Sequence, residues 1–300
     1  MANYTLRHAM PGRCEFDMIS PSSVYRDRTG HVSLWGMGKL EQEATTICGD
    51  HGFMSSPRGD HGFMLSPRDI AKANDISFFL ISEKRIVSPA FRTKFSWCGG
   101  LEKYRVKFSV SSMTPRSIGT KRVFSDIDTG GWFFKSENKL VAVNVKNRLS
   151  ANLPQSYYES MSELVDHEEE PLITSRQDTL TPPDTAFKTS IQTRYSDLDF
   201  NSHINTSEYY RFCTDASSQA AVSGYYRHFT SDIVKYPVMM TEATFLGECG
   251  PDEDLVIYTW QDDDDFTKLY FAFYLKEVKI FQSCFKHDSK ISQDKVISSL

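Results

Sequence analysis

Six cysteines in 300 residues (Cys14, Cys48, Cys98, Cys213, Cys249, Cys284) include no CxxC pair, which excludes the usual spacing of a zinc cluster or a disulfide framework. No run approaches the roughly 18 consecutive apolar residues of a membrane span. The start MANYTLRHAMPGRC has no apolar core of a secretory signal, so a cytoplasmic protein is expected. Positive charge is not in excess: the net charge is −5, which argues against general nucleic-acid binding. Neither a cofactor nor a metal is expected.

The charge is unevenly spread. The stretch from Lys84 to Arg122 holds ten Lys or Arg against the single acid Glu102, whereas Glu248 to Phe266 holds eight acids and no base. A basic stretch suits the phosphates of coenzyme A or an acidic carrier protein; it equally suits the outward positions of strands. The run Asp262-Asp-Asp-Asp265 reads as a solvated turn rather than a metal site.

Apolar content of 40%, with 13% aromatic residues, is ample for one large or two ordinary cores. Residues 151–184, with the acidic run before Pro171 and the Thr181-Pro-Pro-Asp184 turn, read as a linker. Residues 1–150 and 185–287 then read alike, an extended stretch followed by a helix and several strands, with 288–300 a polar tail. In the first part Ser33 is a helix N-cap before the apolar positions Met37, Leu40, Ala44 and Ile47, with strands near 77–81, 103–111, 118–126 and 139–146. In the second, Asn205 and Glu208 form a capping box before Tyr209, Phe212, Ala216 and Ala220, with strands near 187–193, 238–246, 254–261, 268–274 and 278–285. The fold class is α+β, a helix burying its apolar face on a mostly antiparallel sheet, twice over.

The two parts align locally. Asp27-Arg-Thr-Gly-His31 has the spacing of Asp199-Phe-Asn-Ser-His203, and Trp97-Cys98-Gly stands where Glu248-Cys249-Gly stands. The His-to-Cys interval is longer by 21 positions in the first part, and a tandem decapeptide, DHGFMSSPRG then DHGFMLSPRD at 50–69, supplies 20 of them. The repeat is read as an exposed insertion after the first helix.

Asp197, Asp199, Asn201, His203 and Asn205 alternate along TRYSDLDFNSHINTSEYY, the kind of convergence that acid/base chemistry requires. Asp197 reads as a structural partner of Arg194. Asp199 and Asn201 can be turn formers or site residues, and Cys249 an inert thiol or a nucleophile.

The stretch DLDFNSHIN, with Tyr209 after it and Glu248-Cys249 downstream, resembles the signature of hotdog-fold acyl thioesterases, and the doubled layout is similar to the fatty acyl-ACP thioesterases. The resemblance implies two tandem hotdogs forming an intrachain pseudo-dimer, able to stand alone or to pair again as a homodimer. It implies hydrolysis of a fatty acyl thioester on acyl carrier protein or coenzyme A. Asp199, Asn201, His203 and Glu248 are the implied catalytic set, in one active site per chain. Substrate contacts are expected from Asn205, Thr206, Tyr209, Trp97 and Cys249. A hydratase or dehydratase of 3-hydroxyacyl thioesters, or a non-catalytic acyl-binding or scaffold protein, are the alternatives.

Overall fold

Along Glu102–Thr114 every second side chain turns inward: Tyr104, Val106, Phe108 and Val110 are buried, while Lys103, Arg105 and Lys107 between them are not. This period of two is what a strand with one packed face requires. The computed structural model describes residues 3–20, 26–54, 74–89, 91, 102–168, 170–175, 177–199 and 202–289. Expectations placed on Trp97, Cys98, Asn201, most of the decapeptide repeat and the tail from 290 lie outside the described residues.

One compact unit comprises Met1–Val24 and Lys39–Arg176. Its strands are β1 (Asn3–Met10), β2 (Arg13–Ser20), β3 (Ile76–Val87), β4 (Glu102–Thr114), β5 (Ser117–Asp126) and β6 (Trp132–Asn144). They run antiparallel in the order β1-β2-β4-β5-β6-β3. Helix α1 (Leu34–Asp50) starts where Ser33 Oγ accepts the Gly36 N–H at 2.9 Å, and buries Leu40, Ala44 and Ile47 as its periodicity predicts. It ends at the first residue of the decapeptide repeat. Gly52 takes φ +74°, a left-handed stop open to glycine at little cost, and Phe53 folds back to donate its N–H to Cys48 O and pack against Phe108 at 4.4 Å.

The interior of this unit is not wholly apolar. Arg85, 1% exposed, pairs with Glu41 at 2.6 Å and Glu83 at 3.0 Å. Arg122 donates to Thr45 Oγ1 at 3.0 Å and lies over the Phe108 ring; burial pulls its pKa down, against the pull of Glu41 and Glu83. Much of the basic stretch noted in the sequence is engaged inside the chain. Arg105 pairs with Asp17 and Glu15, Lys107 with Asp166, and Lys121 Nζ donates to Glu170 O.

The stretch read as a linker is tied down. It holds helix α2 (Gln155–Ser162), which buries Tyr157 and Met161; these two apolar positions are too few to show as periodicity. The buried Glu137 carboxylate accepts the N–H groups of Leu172 and Ile173.

A second compact unit comprises Tyr25–Gly38 and Gln177–Leu300. Its strands are β7 (Phe187–Gln192), β8 (Val238–Phe245), β9 (Asp254–Gln261), β10 (Lys268–Leu275) and β11 (Val278–His287), antiparallel in the order β8-β11-β10-β9-β7. Helix α3 (Thr206–Val222) buries Tyr209, Phe212, Cys213, Ala216 and Ala220 in one apolar cluster with Leu255, Ile257, Phe271, Phe273, Phe281 and Phe285. Small residues at 213, 216, 217 and 220 let a helix lie close to a sheet. The buried Gln282 bonds both Leu180 N and Asp178 O, fixing the end of the connecting stretch. In the acidic turn, Asp262 accepts the N–H groups of Asp264 and Asp265, and Asp265 accepts the N–H and the hydroxyl of Thr267. Among the described residues no group of three or more His, Cys, Asp or Glu could hold a metal ion, and no helix is long and apolar enough to cross a membrane.

His287, at the end of β11, is 3% exposed, packs on Phe229 and bonds Tyr236 O through Nδ1 at 3.1 Å. A carbonyl only accepts, so Nδ1 carries the proton and the buried Nε2 is the deprotonated nitrogen. Burial lowers its pKa to about 4. The unfolded chain, titrating near 6.5, therefore binds a proton that the folded chain refuses between these values. The contribution to stability is complete above about pH 6.5 and falls by about 1.4 kcal/mol per pH unit as pH drops through that window, on the order of 3 kcal/mol in all. Urea midpoints measured from pH 7 to 4.5 should show this loss, and His287→Asn, which keeps the Nδ1-side donor without a titrating ring, should remove its share.

Candidate active site

Within the alternating polar run, Asp199 to His203 form a short loop closed by Asp199. Asp199 N–H donates to His203 O at 2.8 Å, Ser202 N–H to Asp199 O at 3.1 Å, and His203 N–H to Asp199 Oδ1 at 3.4 Å. Ser202 takes φ +62° to make the turn. Leu198 and Ile204 pair across the loop's neck. Asp199 thus shapes the loop that presents His203.

The stretch of matching spacing, Asp27 to His31, folds the same way. Asp27 N–H donates to His31 O at 2.8 Å, Gly30 N–H to Asp27 O at 3.0 Å, and His31 N–H to Asp27 Oδ1 at 3.4 Å, with Arg26 and Val32 bridged. Gly30, at φ +81°, holds the position of Ser202, where glycine meets no strain. Thr29, at the position of Asn201, turns its hydroxyl onto Asp27 at 2.6 Å and His31 Nδ1 at 3.0 Å. The copied loop therefore occupies its own polar groups.

Immediately after His203, Asn205 caps α3: its Oδ1 accepts the Ser207 N–H at 3.0 Å. The capping box is not completed. The Asn205 N–H goes to Asp197 O at 2.8 Å, and Glu208 instead bonds Arg211 at 2.6 Å. Arg211 also reaches Asp197 at 2.7 Å, while the second Asp197 oxygen accepts the Arg194 N–H at 2.9 Å. Asp197 is structural, as the sequence suggests, but its cationic partner is Arg211; a helix position fourteen residues away gave no sequence signal.

Glu248 comes from the segment leaving β8. Leu246 and Gly247 N–H groups both reach Ile280 O, and Ile204 N–H donates to Cys249 O at 3.0 Å, joining this segment to the His203 loop. A Cβ on Gly247 would stand 3.0 Å from the Ile280 side chain, so glycine lets the segment lie this close without displacing Ile280. The result is His203 Nε2 at 3.6 Å from Glu248 Oε2, with side chains 40% and 29% exposed. That separation is ion-pair contact beyond hydrogen-bond length, and both groups remain open to an incoming molecule.

Tyr209 follows in the first turns of α3, 3% exposed and stacked on Phe281 at 4.8 Å. Burial first, then Cys249 and the Glu248 and Glu253 carboxylates, push its hydroxyl pKa above the ordinary tyrosine value. Thr206 lies in the first turn of α3, partly exposed. Cys249 is 2% exposed and points its thiol at Glu253 Oε2, 3.4 Å away. Burial and the Glu253 carboxylate raise its pKa to about 12, so it is a thiol, not a thiolate, at neutral pH. Cys249→Ala should accordingly retain kcat to within about threefold, measured as thiol release; a loss comparable to that of His203→Ala would make the sulfur a reactant.

Two further residues of this site carry no signal in the sequence. Thr193 is 1% exposed, with its hydroxyl 2.8 Å from Gly250 O. Glu253 accepts the Gly250 N–H at 3.3 Å. Neither falls in the alternating run, and an isolated Thr or Glu belongs to no motif.

Residues 180–265 match the family model described as the acyl-ACP thioesterase C-terminal domain, a span that includes Asp199, His203, Glu248 and Cys249. The structure is similar to a 12:0-ACP thioesterase from Umbellularia californica, with TM-score 0.70 and 13% identity over 91% of this chain and 97% of that one. An acyl-ACP thioesterase from Bacteroides thetaiotaomicron matches with TM-score 0.66 and 14% identity over 92% and 98%. A putative oleoyl thioesterase from Lactobacillus plantarum matches with TM-score 0.64 and 12% identity over 95% and 96%. No curated protein gives a significant sequence match. The chain has the double-hotdog fold of the acyl-ACP thioesterases, and its residues 180–265 match the model of their C-terminal domain.

Proposed function

We propose that this chain hydrolyses fatty acyl thioesters, with acyl-ACP as the carrier-bound substrate and His203 and Glu248 at the reacting centre. The observation that carries the reading is the His203–Glu248 contact of 3.6 Å, inside the segment that matches the acyl-ACP thioesterase C-terminal domain.

A water placed between the two side chains loses its proton to this pair as its oxygen attacks the thioester carbonyl. Asn201, a member of the catalytic set that the resemblance implies, holds that water or the thioester carbonyl. The carbonyl oxygen becomes an oxyanion, and the first turn of α3 offers it a donor. Asn205 and Ser207 N–H groups are taken by Asp197 O and the Asn205 side chain. The N–H of Thr206, the first helical residue, precedes the intrahelical ladder, and the positive end of the 17-residue helix lies behind it. Collapse breaks the carbon–sulfur bond. The carrier leaves as a thiolate that takes up the proton, a mild demand because thiols ionise near pH 8.5. The free fatty acid is the second product.

The test is thiol release from purified acyl-ACP and acyl-CoA series of increasing chain length. The reading expects steady release from acyl-ACP with a preferred chain length, and is overturned by intact thioester on both carriers after prolonged incubation with folded protein.

A further inference from the structure

The loop bearing His203 and the segment bearing Glu248 are far apart in sequence, and one buried hydroxyl sits where they meet. Thr193 follows β7 and precedes the His203 loop. Its backbone N–H donates to Glu253 O at 2.9 Å, and its carbonyl accepts the Asp252 N–H at 3.0 Å. Its hydroxyl donates to Gly250 O at 2.8 Å and accepts the Glu253 N–H at 3.0 Å. Glu253 then turns its carboxylate back on the same segment, holding Gly250 N at 3.3 Å and the Cys249 thiol at 3.4 Å. Asp252, at φ +57°, makes the tight reversal that brings Glu253 round.

We infer that Thr193 and Glu253 are positioning residues, a clamp that sets the distance between Glu248 and His203. This rests on the proposed reaction for its kinetic consequence but not for its geometry. Beyond β8 the Glu248 segment has no ladder of its own; it is held by Ile280 O on one side and by the Ile204 bond to Cys249 O on the other. Residues 250 to 253 lie just past that second anchor, and the Thr193 hydroxyl and the Glu253 carboxylate fix their course through side-chain bonds. Loss of the hydroxyl takes the partner of the Glu253 N–H and leaves the Gly250 carbonyl with the 3.5 Å contact from the Cys249 thiol; the segment shifts to satisfy them, and Glu248 moves with it. A misplacement of this size at a reacting pair costs about ten- to a hundred-fold in rate.

Three variants test this. Thr193→Val, which keeps shape and removes the hydroxyl, should lower kcat by about ten- to a hundred-fold with KM little changed, and Thr193→Ser should restore it. In a Glu248→Gln background Thr193→Val should cost nothing further, because the group it positions is already gone. Equal losses in both backgrounds would overturn the inference, as would an unaffected kcat in folded Thr193→Val. A readout independent of turnover is the nitrogen resonances of the His203 ring. Thr193→Val should move them in the direction that Glu248→Gln does, and unchanged resonances would overturn the clamp whatever the kinetics. Absence of hydrolysis in the wild-type protein with these shifts present would instead fail the reaction and leave the clamp standing.

Discussion

Glu248→Gln should lower kcat for the proposed acyl-ACP hydrolysis about a thousand-fold, a loss within the range for removing a general acid/base group, and should leave the thermal midpoint near that of the wild type. The amide keeps the size of the carboxylate but cannot take a proton and carries no negative charge to face a protonated His203 across the 3.6 Å contact. Its effect on stability is small because Glu248 is partly exposed and its contact with His203 is a 3.6 Å ion-pair approach rather than a buried bond. Steady-state thiol release with matched melting curves checks both halves of the expectation. A loss below about tenfold would move the base function to another group.

The largest stability effect is expected in the other unit. Arg85→Met leaves the buried Glu41 and Glu83 carboxylates, both within 3.0 Å of that guanidinium, without their principal counter-charge. Breaking a buried ion pair from one side costs about 3–5 kcal/mol, enough to unfold many domains of ordinary stability. Replacing all three at once, Glu41→Leu, Glu83→Leu and Arg85→Met, removes the charges together and should recover most of that loss, since apolar replacement of a whole buried cluster is often neutral or better. Urea unfolding monitored by tryptophan fluorescence measures both variants. A single Arg85→Met as stable as the wild type would mean that the cluster contributes nothing net to this unit.

Much of the fold was legible because it is written in short-range pattern. The alternation at 103–111 and 254–261 and the i, i+3, i+4 spacing of Tyr209, Phe212, Ala216 and Ala220 specify strands and helix before any tertiary contact is known. Duplication was legible too, and the structure deepens it: Asp27 and Asp199 close their loops with the same three hydrogen bonds. What the pattern could not show were bonds between distant positions. The Arg211–Asp197 pair, the bonds from Glu137 to Leu172 and Ile173 and from Gln282 to Leu180, and the Thr193–Gly250 contact each join residues with no periodic relation. The stretch 151–184 read as a linker for that reason, its anchors being carried by single side chains elsewhere. The buried charges of β3 and β5 likewise looked like a basic surface, because sequence alone does not say which lysines and arginines turn inward.

The most direct measurement is thiol release from one acyl-ACP by His203→Ala beside the wild type, at equal concentration of folded protein. A site built on the His203–Glu248 pair predicts a rate reduced by about a thousand-fold or more. Equal rates for the two proteins would contradict it and place the chemistry elsewhere in the chain.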